Sequence, residues 1–246
     1  MPRFDCADVA ERARGIGRAI AAVDRHQLVV IPTESTYAVA CNAFSPVGIE
    51  RLNEAKGRLG RDALPVMVGS IKAARAILGT LHPQGEALIE GFWPGPLTAL
   101  CPQQSTLTWD IGGDGRNVAV RMPLHPVALE VLQGAGPMVV VAANRVGEPA
   151  PTNCDDAQEQ LGGAVTIYLD AGPRPSGVAS TVVDLTAQDP VLLREGAFSI
   201  DELRAAAPSL RSADDPVPDD ADDPAPDDAG DPDDRDDPHE SVPNNG

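Results

Sequence analysis

Four short stretches of the 246-residue chain gather cations and hydroxyls of the kind that hold an anion. Pro32-Thr33-Glu34-Ser35-Thr36-Tyr37 sets five hydrogen-bonding side chains in a row, directly after the apolar run Leu28–Ile31. Such a row suits the rim of a site for a small polar ligand, and it equally suits a helix cap or a Ser/Thr turn. Lys56-Gly57-Arg58 flanks a glycine with two cations. If the backbone leaves the helix there, both can converge on one polyanion, Arg as a planar fork and Lys as a point charge. The alternative is that they complement the dipole of a helix C-terminus. Val118-Ala119-Val120-Arg121-Met122-Pro123 ends an apolar strand in an arginine. At a buried strand end that charge needs an anion, either a ligand carboxylate or a structural Asp or Glu. The fourth is a pair of late segments, Gly177-Val178-Ala179-Ser180-Thr181 and Leu192-Leu193-Arg194-Glu195-Gly196, which add a serine and a further arginine.

The absent groups narrow the chemistry. No GxxxxGK[ST] loop occurs, no GxGxxG follows the first strand, and nothing resembles GxSxG, HExxH or an Asp-rich calcium loop. His26, His82 and His125 are scattered and read as structural. What remains is a set of cations and hydroxyls that would position an anionic substrate, with little acid–base machinery.

The elements that must carry these residues follow from periodicity. Val9, Ala13, Ile16, Ile20 and Val23 recur at helical spacing, and Leu28–Ile31 is a short, fully apolar strand ended by Pro32. Pro46–Lys56 reads as a helix, Pro65–Val68 as a strand, and Ser70–Leu78 as a helix capped by Ser70. A helix over Glu86–Phe92 stops at Trp93-Pro94-Gly95-Pro96. Further on, Leu97–Cys101, Asn117–Arg121, Met138–Val141, Val165–Leu169, Thr181–Leu185 and Val191–Leu193 read as strands. Helices fit at His125–Leu132, Asp155–Leu161 and Ile200–Ala206. Helices alternate with strands early and strands cluster late, which predicts a single α/β domain with a large twisted sheet, mixed parallel and antiparallel, flanked by helices.

Charge divides the chain. The formal net charge is −18. Ser212–Gly246 holds 13 Asp, one Glu and one Arg among seven Pro, a net −13, and leaves −5 on residues 1–211. The expectation is a folded body over 1–211 and a disordered Asp/Pro-rich tail over 212–246, since the tail has too little apolar surface to offset the entropy of ordering it. A wholly basic nucleic-acid binder and a polybasic membrane-surface protein are excluded. No apolar run approaches the roughly 18 residues of a membrane span, and Asp5, Asp8 and Glu11 stand where a signal peptide would be apolar. Cys6, Cys41, Cys101 and Cys154 form no Cys-x-x-Cys pair, and read as free thiols in a reducing cytoplasm with no structural metal.

Taken together the stretches resemble the L-threonylcarbamoyl-AMP synthase family with its YrdC-like domain. The resemblance rests on PTESTYA at 32–38, Lys56-Gly57-Arg58, Trp-Pro-Gly-Pro-Leu-Thr at 93–98 and Val-Ala-Val-Arg-Met-Pro-Leu-His-Pro at 118–126. It continues in Gly-Val-Ala-Ser-Thr-Val at 177–182 and Leu-Leu-Arg-Glu-Gly at 192–196. It covers about Leu28 to Ala206 and none of the tail. It implies a nucleotidyltransferase that makes threonylcarbamoyl-AMP and pyrophosphate from L-threonine, bicarbonate and ATP, with Mg²⁺ accompanying the ATP. The product would serve a downstream threonylcarbamoyl transferase complex that modifies tRNA beside the anticodon, and a weak contact with tRNA itself is a further expectation. By the same resemblance Lys56, Arg58, Asn117, Asn144 and Arg194 would bind ATP, with Lys56 and Arg58 also catalytic. Thr33, Arg121 and Ser180 would bind threonine, Arg121 through its carboxylate.

The chain departs from the family pattern in places. Ala142-Ala143-Asn144 stands where the family usually reads Ser-Ala-Asn, so one hydroxyl is missing; Ser35, Ala38 and Met67 are further changes. The competing expectation is a paralogue of the same fold that binds RNA without synthase activity. Ala142 favours it slightly, while Lys56, Arg58, Arg194 and the body's net negative charge oppose it.

Overall fold

The run Leu28–Ile31 is apolar throughout because it has no solvent face. The computed structural model, which describes residues 1–60, 62–174 and 178–215, puts Leu28 and Val30 into one core and Val29 and Ile31 into another. Successive residues of a strand point to opposite sides, so a strand covered on both sides must be apolar at every position.

The chain opens with β1 (Arg3–Asp5), α1 (Val9–Asp24), β2 (Leu28–Pro32) and β3 (Tyr37–Asn42). It continues through α2 (Pro46–Lys56), β4 (Val66–Met67), α3 (Ile71–Ile77), α4 (Pro83–Phe92), β5 (Leu97–Pro102) and β6 (Asn117–Arg121). After α5 (Pro126–Ala135), β7 (Met138–Ala142), α6 (Cys154–Leu161) and β8 (Val165–Asp170) come β9 (Thr181–Asp184), β10 (Val191–Arg194), α7 (Ile200–Arg204) and β11 (Arg211–Ser212). The strands form one sheet in the order β1-β8-β2-β3-β7-β4-β6-β5-β9-β10-β11. Pairs β2/β8, β4/β6 and β5/β9 are parallel; β2/β3, β3/β7, β4/β7 and β5/β6 are antiparallel. The expected mixed sheet is therefore the fold.

Helices cover both sides. α1 and α5 lay Ile16, Ala19, Val23, Val127 and Val131 against Val29, Ile31, Ala38 and Ala40. On the other side Ile49, Leu52, Ala74, Ile77, Leu88 and Leu161 meet Val30, Val39, Val66 and Val120. Local signals start the helices: Asp8, Ser45, Ser70, Asn153 and Ser199 each accept a backbone N–H of the first turn. All four cysteines are free, three buried and Cys6 half-buried.

Three expectations need correction. Tyr37 is not part of a solvent rim: it begins β3, where it is fully buried, its hydroxyl bonded to Asp170 and to the Gly172 carbonyl. α4 begins at Pro83, a proline at the first helical turn, where its missing N–H costs nothing. The folded body also runs past Arg211. Ser212 pairs with Leu192 in β11, and the compact unit extends from Met1 to Asp214. The reading of a disordered tail falls on 216–246, outside the described residues.

Candidate active site

Lys56 ends α2, and Gly57 turns the chain into the left-handed region at φ 67°. A side chain is disfavoured there, so glycine is the residue that lets the flanking cations diverge. Lys56 points inward. It is 9% exposed, and its ammonium donates to the Ala142 carbonyl at 2.7 Å, the Asn144 carbonyl at 2.6 Å and Asn144 Oδ1 at 3.3 Å. Its own carbonyl accepts the Val146 N–H at 2.9 Å. Burial, reinforced by the Arg58 charge, lowers the Lys56 pKa to about 8. Arg58 turns the other way, to Asn53 Oδ1 at 3.3 Å and the Asp62 carbonyl at 2.7 Å. It lines a cavity of about 680 Å³ with Asn53, Leu59 and Asp110.

Asn144 is a loop organiser as well as a partner of Lys56: its amide nitrogen donates to the carbonyls of Arg145 and Glu148. Asn117 opens β6. Counting along the rung Val139–Val66–Val120 places Asn117 on the same sheet edge as Ala142, and Arg121 on the opposite edge with Met67 and Met138. Lys56, bonded to Ala142 and Asn144, therefore shares that edge with Asn117, while Arg58 turns from Lys56 to Asn53 and Asp62.

The second group gathers around β5, β6, β9 and β10. Ser180 Oγ lies 2.9 Å from Thr98 Oγ1, and Arg194 donates to the Ser180 carbonyl at 2.8 Å and to its hydroxyl at 3.3 Å. Register places Thr98 beside Arg121, across the β5/β6 pair. Arg121, 8% exposed, donates from Nε to the Gly95 carbonyl at 3.1 Å and from Nη2 to Glu34 Oε1. Glu34 is thus a structural partner of Arg121, and the guanidinium keeps further N–H donors for a ligand carboxylate. Thr33 likewise forms the Ser/Thr turn: its hydroxyl donates to the Thr36 carbonyl at 2.7 Å and accepts the Thr36 N–H at 3.3 Å. Thr33 shapes the turn that carries Glu34, and the hydroxyl is already in use there.

The structure therefore divides the expected site residues into an amide-and-cation group (Lys56, Arg58, Asn117, Asn144) and a hydroxyl-and-arginine group (Arg121, Ser180, Arg194). Thr33 belongs to the β2–β3 turn, which the ion pair Glu34–Arg121 joins to the second group. Arg194 sits with the threonine-assigned Ser180. Sequence reasoning did not single out Thr98 or the Gly95 carbonyl, although both lie inside the Trp-Pro-Gly-Pro-Leu-Thr motif; nor did it give Glu34 a role. A further cavity of about 760 Å³, lined by Arg51, Glu54, Arg145 and Glu159, holds none of the expected site residues. Among the described residues no group of three His, Cys, Asp or Glu could hold a metal ion.

Fold and site together describe an α/β protein with a mixed sheet whose cations, amides and hydroxyls gather at strand ends. A family model described as telomere recombination, the Sua5/YciO/YrdC family, matches residues 21–196, and the chain belongs to that family. A provisionally named threonylcarbamoyl-AMP synthase of Mycobacterium tuberculosis is 43% identical over 201 residues, 81% of this chain and 92% of its own length. The threonylcarbamoyl-AMP synthase of Pyrococcus abyssi is 34% identical over 186 residues, 75% of this chain and 55% of its own. A crystal structure of P. abyssi Sua5 complexed with L-threonine superposes with a TM-score of 0.78 at 32% identity, covering 86% of this chain and 62% of that one. The chain thus spans most of the mycobacterial relative and somewhat over half of the archaeal one.

Proposed function

We propose that the protein is a threonylcarbamoyl-AMP synthase, a nucleotidyltransferase that converts L-threonine, bicarbonate and ATP to threonylcarbamoyl-AMP and pyrophosphate. The observation that carries the reading is the buried Arg121 between Gly95, Glu34 and the Thr98–Ser180 hydroxyl pair. Such an arrangement suits a small carboxylate bearing further polar groups. The names of the Pyrococcus and Bacillus subtilis relatives, and the L-threonine complex of the former, support the same substrate.

In this reading threonine's amine condenses with bicarbonate to a carbamate with loss of water, and a carbamate oxygen attacks the α-phosphorus of ATP in line as pyrophosphate leaves. Positioning and electrostatics do most of the work. Arg121 holds the threonine carboxylate and Ser180 its hydroxyl end, with Thr33 fixing the turn beside them. Arg58 faces the triphosphate, Arg194 approaches the nucleotide from β10, and Asn117 and Asn144 border it. Lys56 acts through the 142–146 loop that it ties down. Mg²⁺ enters as part of the substrate, held by phosphate oxygens and water.

The product is an activated acyl group, consumed by a threonylcarbamoyl transferase complex acting on tRNA, and the reading sets the reaction in the cytoplasm. No described helix is long and apolar enough to cross a membrane. Against the RNA-binding alternative, Arg3, Arg12, Arg75 and Arg116 among the described residues are each paired with an acid. The test is to incubate the protein with ATP, bicarbonate and labelled threonine and to resolve threonylcarbamoyl-AMP. Folded protein that forms none above background overturns the proposal.

A further inference from the structure

Glu34 places one carboxylate oxygen on Arg121 and leaves the other, Oε2, buried without a hydrogen-bond partner. An acceptor of this kind gives up its hydration without a replacement in the protein, which marks it as a place for a donor. We propose that Glu34 Oε2 receives the ammonium group of the α-amino acid whose carboxylate sits on Arg121, so that the ion pair is a clamp for a zwitterion.

Three observations carry this. First, the guanidinium is not exhausted. It has five N–H groups, and among the described residues Arg121 donates to the Gly95 carbonyl and to Glu34, which leaves donors for a second carboxylate. Second, the turn that carries Glu34 is fixed at both ends. The Thr33 hydroxyl closes it on Thr36, and the Thr33 N–H donates to the Thr36 carbonyl at 2.9 Å, so the backbone from which the carboxylate extends is set. Third, the charges match. The Glu34–Arg121 pair is neutral and dipolar, and a zwitterion laid along it in the opposite sense pairs both ends without burying net charge. The Thr98–Ser180 hydroxyls, beside Arg121 by register, then face the amino acid's side chain.

The assignment rests on the reading of L-threonine as substrate and adds to it the group that distinguishes an amino acid from an acid lacking the amine. The test uses the full chain, wild type and Glu34→Gln, with L-threonine and with (R)-3-hydroxybutyrate, which is threonine without its amine. Binding is measured by titration calorimetry without ATP, and thermal melting shows that the variant is folded. Loss of a charge-assisted hydrogen bond predicts that Glu34→Gln weakens threonine about ten- to a hundred-fold. It leaves (R)-3-hydroxybutyrate within about two-fold of wild type, so discrimination between the ligands collapses. Glu34→Asp keeps the charge and recovers part of the threonine affinity. If Glu34→Gln tightens both ligands, Glu34 only competes for Arg121; if it weakens both equally, Glu34 only orients Arg121; either result overturns the assignment. Wild-type protein that binds threonine and a variant that binds it equally well overturn the assignment alone. Wild-type protein that binds neither ligand overturns the threonine reading and this assignment with it.

Discussion

The ammonium of Lys56 lies 2.6 Å from the main-chain oxygen of Asn144, and this bond ties the C-terminus of α2 to the loop that leaves β7. With the Ala142 carbonyl and Asn144 Oδ1 it occupies all three donors of the lysine. Removing the side chain leaves two carbonyls without their donor, at about 1–3 kcal/mol each where water cannot follow. Lys56→Ala should lower the melting temperature, accelerate hydrogen exchange over 144–148, and remove most threonine-dependent pyrophosphate formation. Lys72→Ala alters an exposed residue of α3 and should change none of the three. Equal effects from the two substitutions would show that Lys56 is not the organising cation.

Burial holds the Lys56 pKa near 8, against 10.5 for an ordinary lysine. The sign follows from proton counts. Between pH 8 and 10.5 the unfolded chain binds a proton there that the folded chain does not, so this residue's contribution to stability rises with pH across that window. Below pH 8 the folded protein carries the buried charge and its full desolvation cost. ATP affinity should follow the opposite course, falling as the ammonium deprotonates above about pH 8. Calorimetric titration of ATP from pH 7 to 9.5, without threonine, checks this; a flat profile would separate the Lys56 charge from nucleotide binding.

Ala142 supplies a carbonyl to Lys56 and no hydroxyl where the family usually has serine. The position is only half-buried at the end of β7, so a hydroxyl can be added without a buried polar penalty. Ala142→Ser should tighten ATP by about 1 kcal/mol, the scale of one neutral hydrogen bond, or roughly five-fold. The Lys56 bonds go to main-chain and Asn144 atoms and are left intact, so stability should hold. Unchanged affinity in the serine variant would mean that the hydroxyl does not reach the nucleotide in this protein.

Much of the frame was legible because its signals are local. The run Leu28–Ile31 reads as a doubly covered strand, and Pro46 and Gly57 bracket α2 by backbone chemistry alone. What escaped depends on contacts between distant segments. Tyr37 looked like the last of a polar row, yet its hydroxyl is satisfied by Asp170 and Gly172, more than 130 positions away, so the ring is buried and the strand can begin there. Thr33 and Arg121 have partners that the sequence could not order in space: Thr36 closes the turn, and Glu34 meets the arginine.

Gly196 shows how a motif residue without chemistry of its own supports the site. It closes the Leu-Leu-Arg-Glu-Gly stretch, and its Cα packs directly against the chain at Ala179–Ser180. A Cβ added there would stand 2.6 Å from the Ser180 carbonyl carbon and would overlap the Ala179 carbonyl oxygen. Neither is the end of a flexible side chain, so a larger residue must push backbone. The neighbouring bond, from the Ala197 N–H to the Ala179 carbonyl at 3.0 Å, is part of the same approach. Displacing it moves the Ser180 carbonyl and hydroxyl that Arg194 grips, along with the Thr98 contact. Gly196→Ala should therefore cost about 1–3 kcal/mol of stability, as overpacking does, and should weaken threonine binding more than Ser180→Ala, which deletes the hydroxyl and leaves the backbone in place. Melting curves and threonine titration on the two variants settle the order. Binding that survives Gly196→Ala unchanged would mean that Ser180 does not contribute to the pocket.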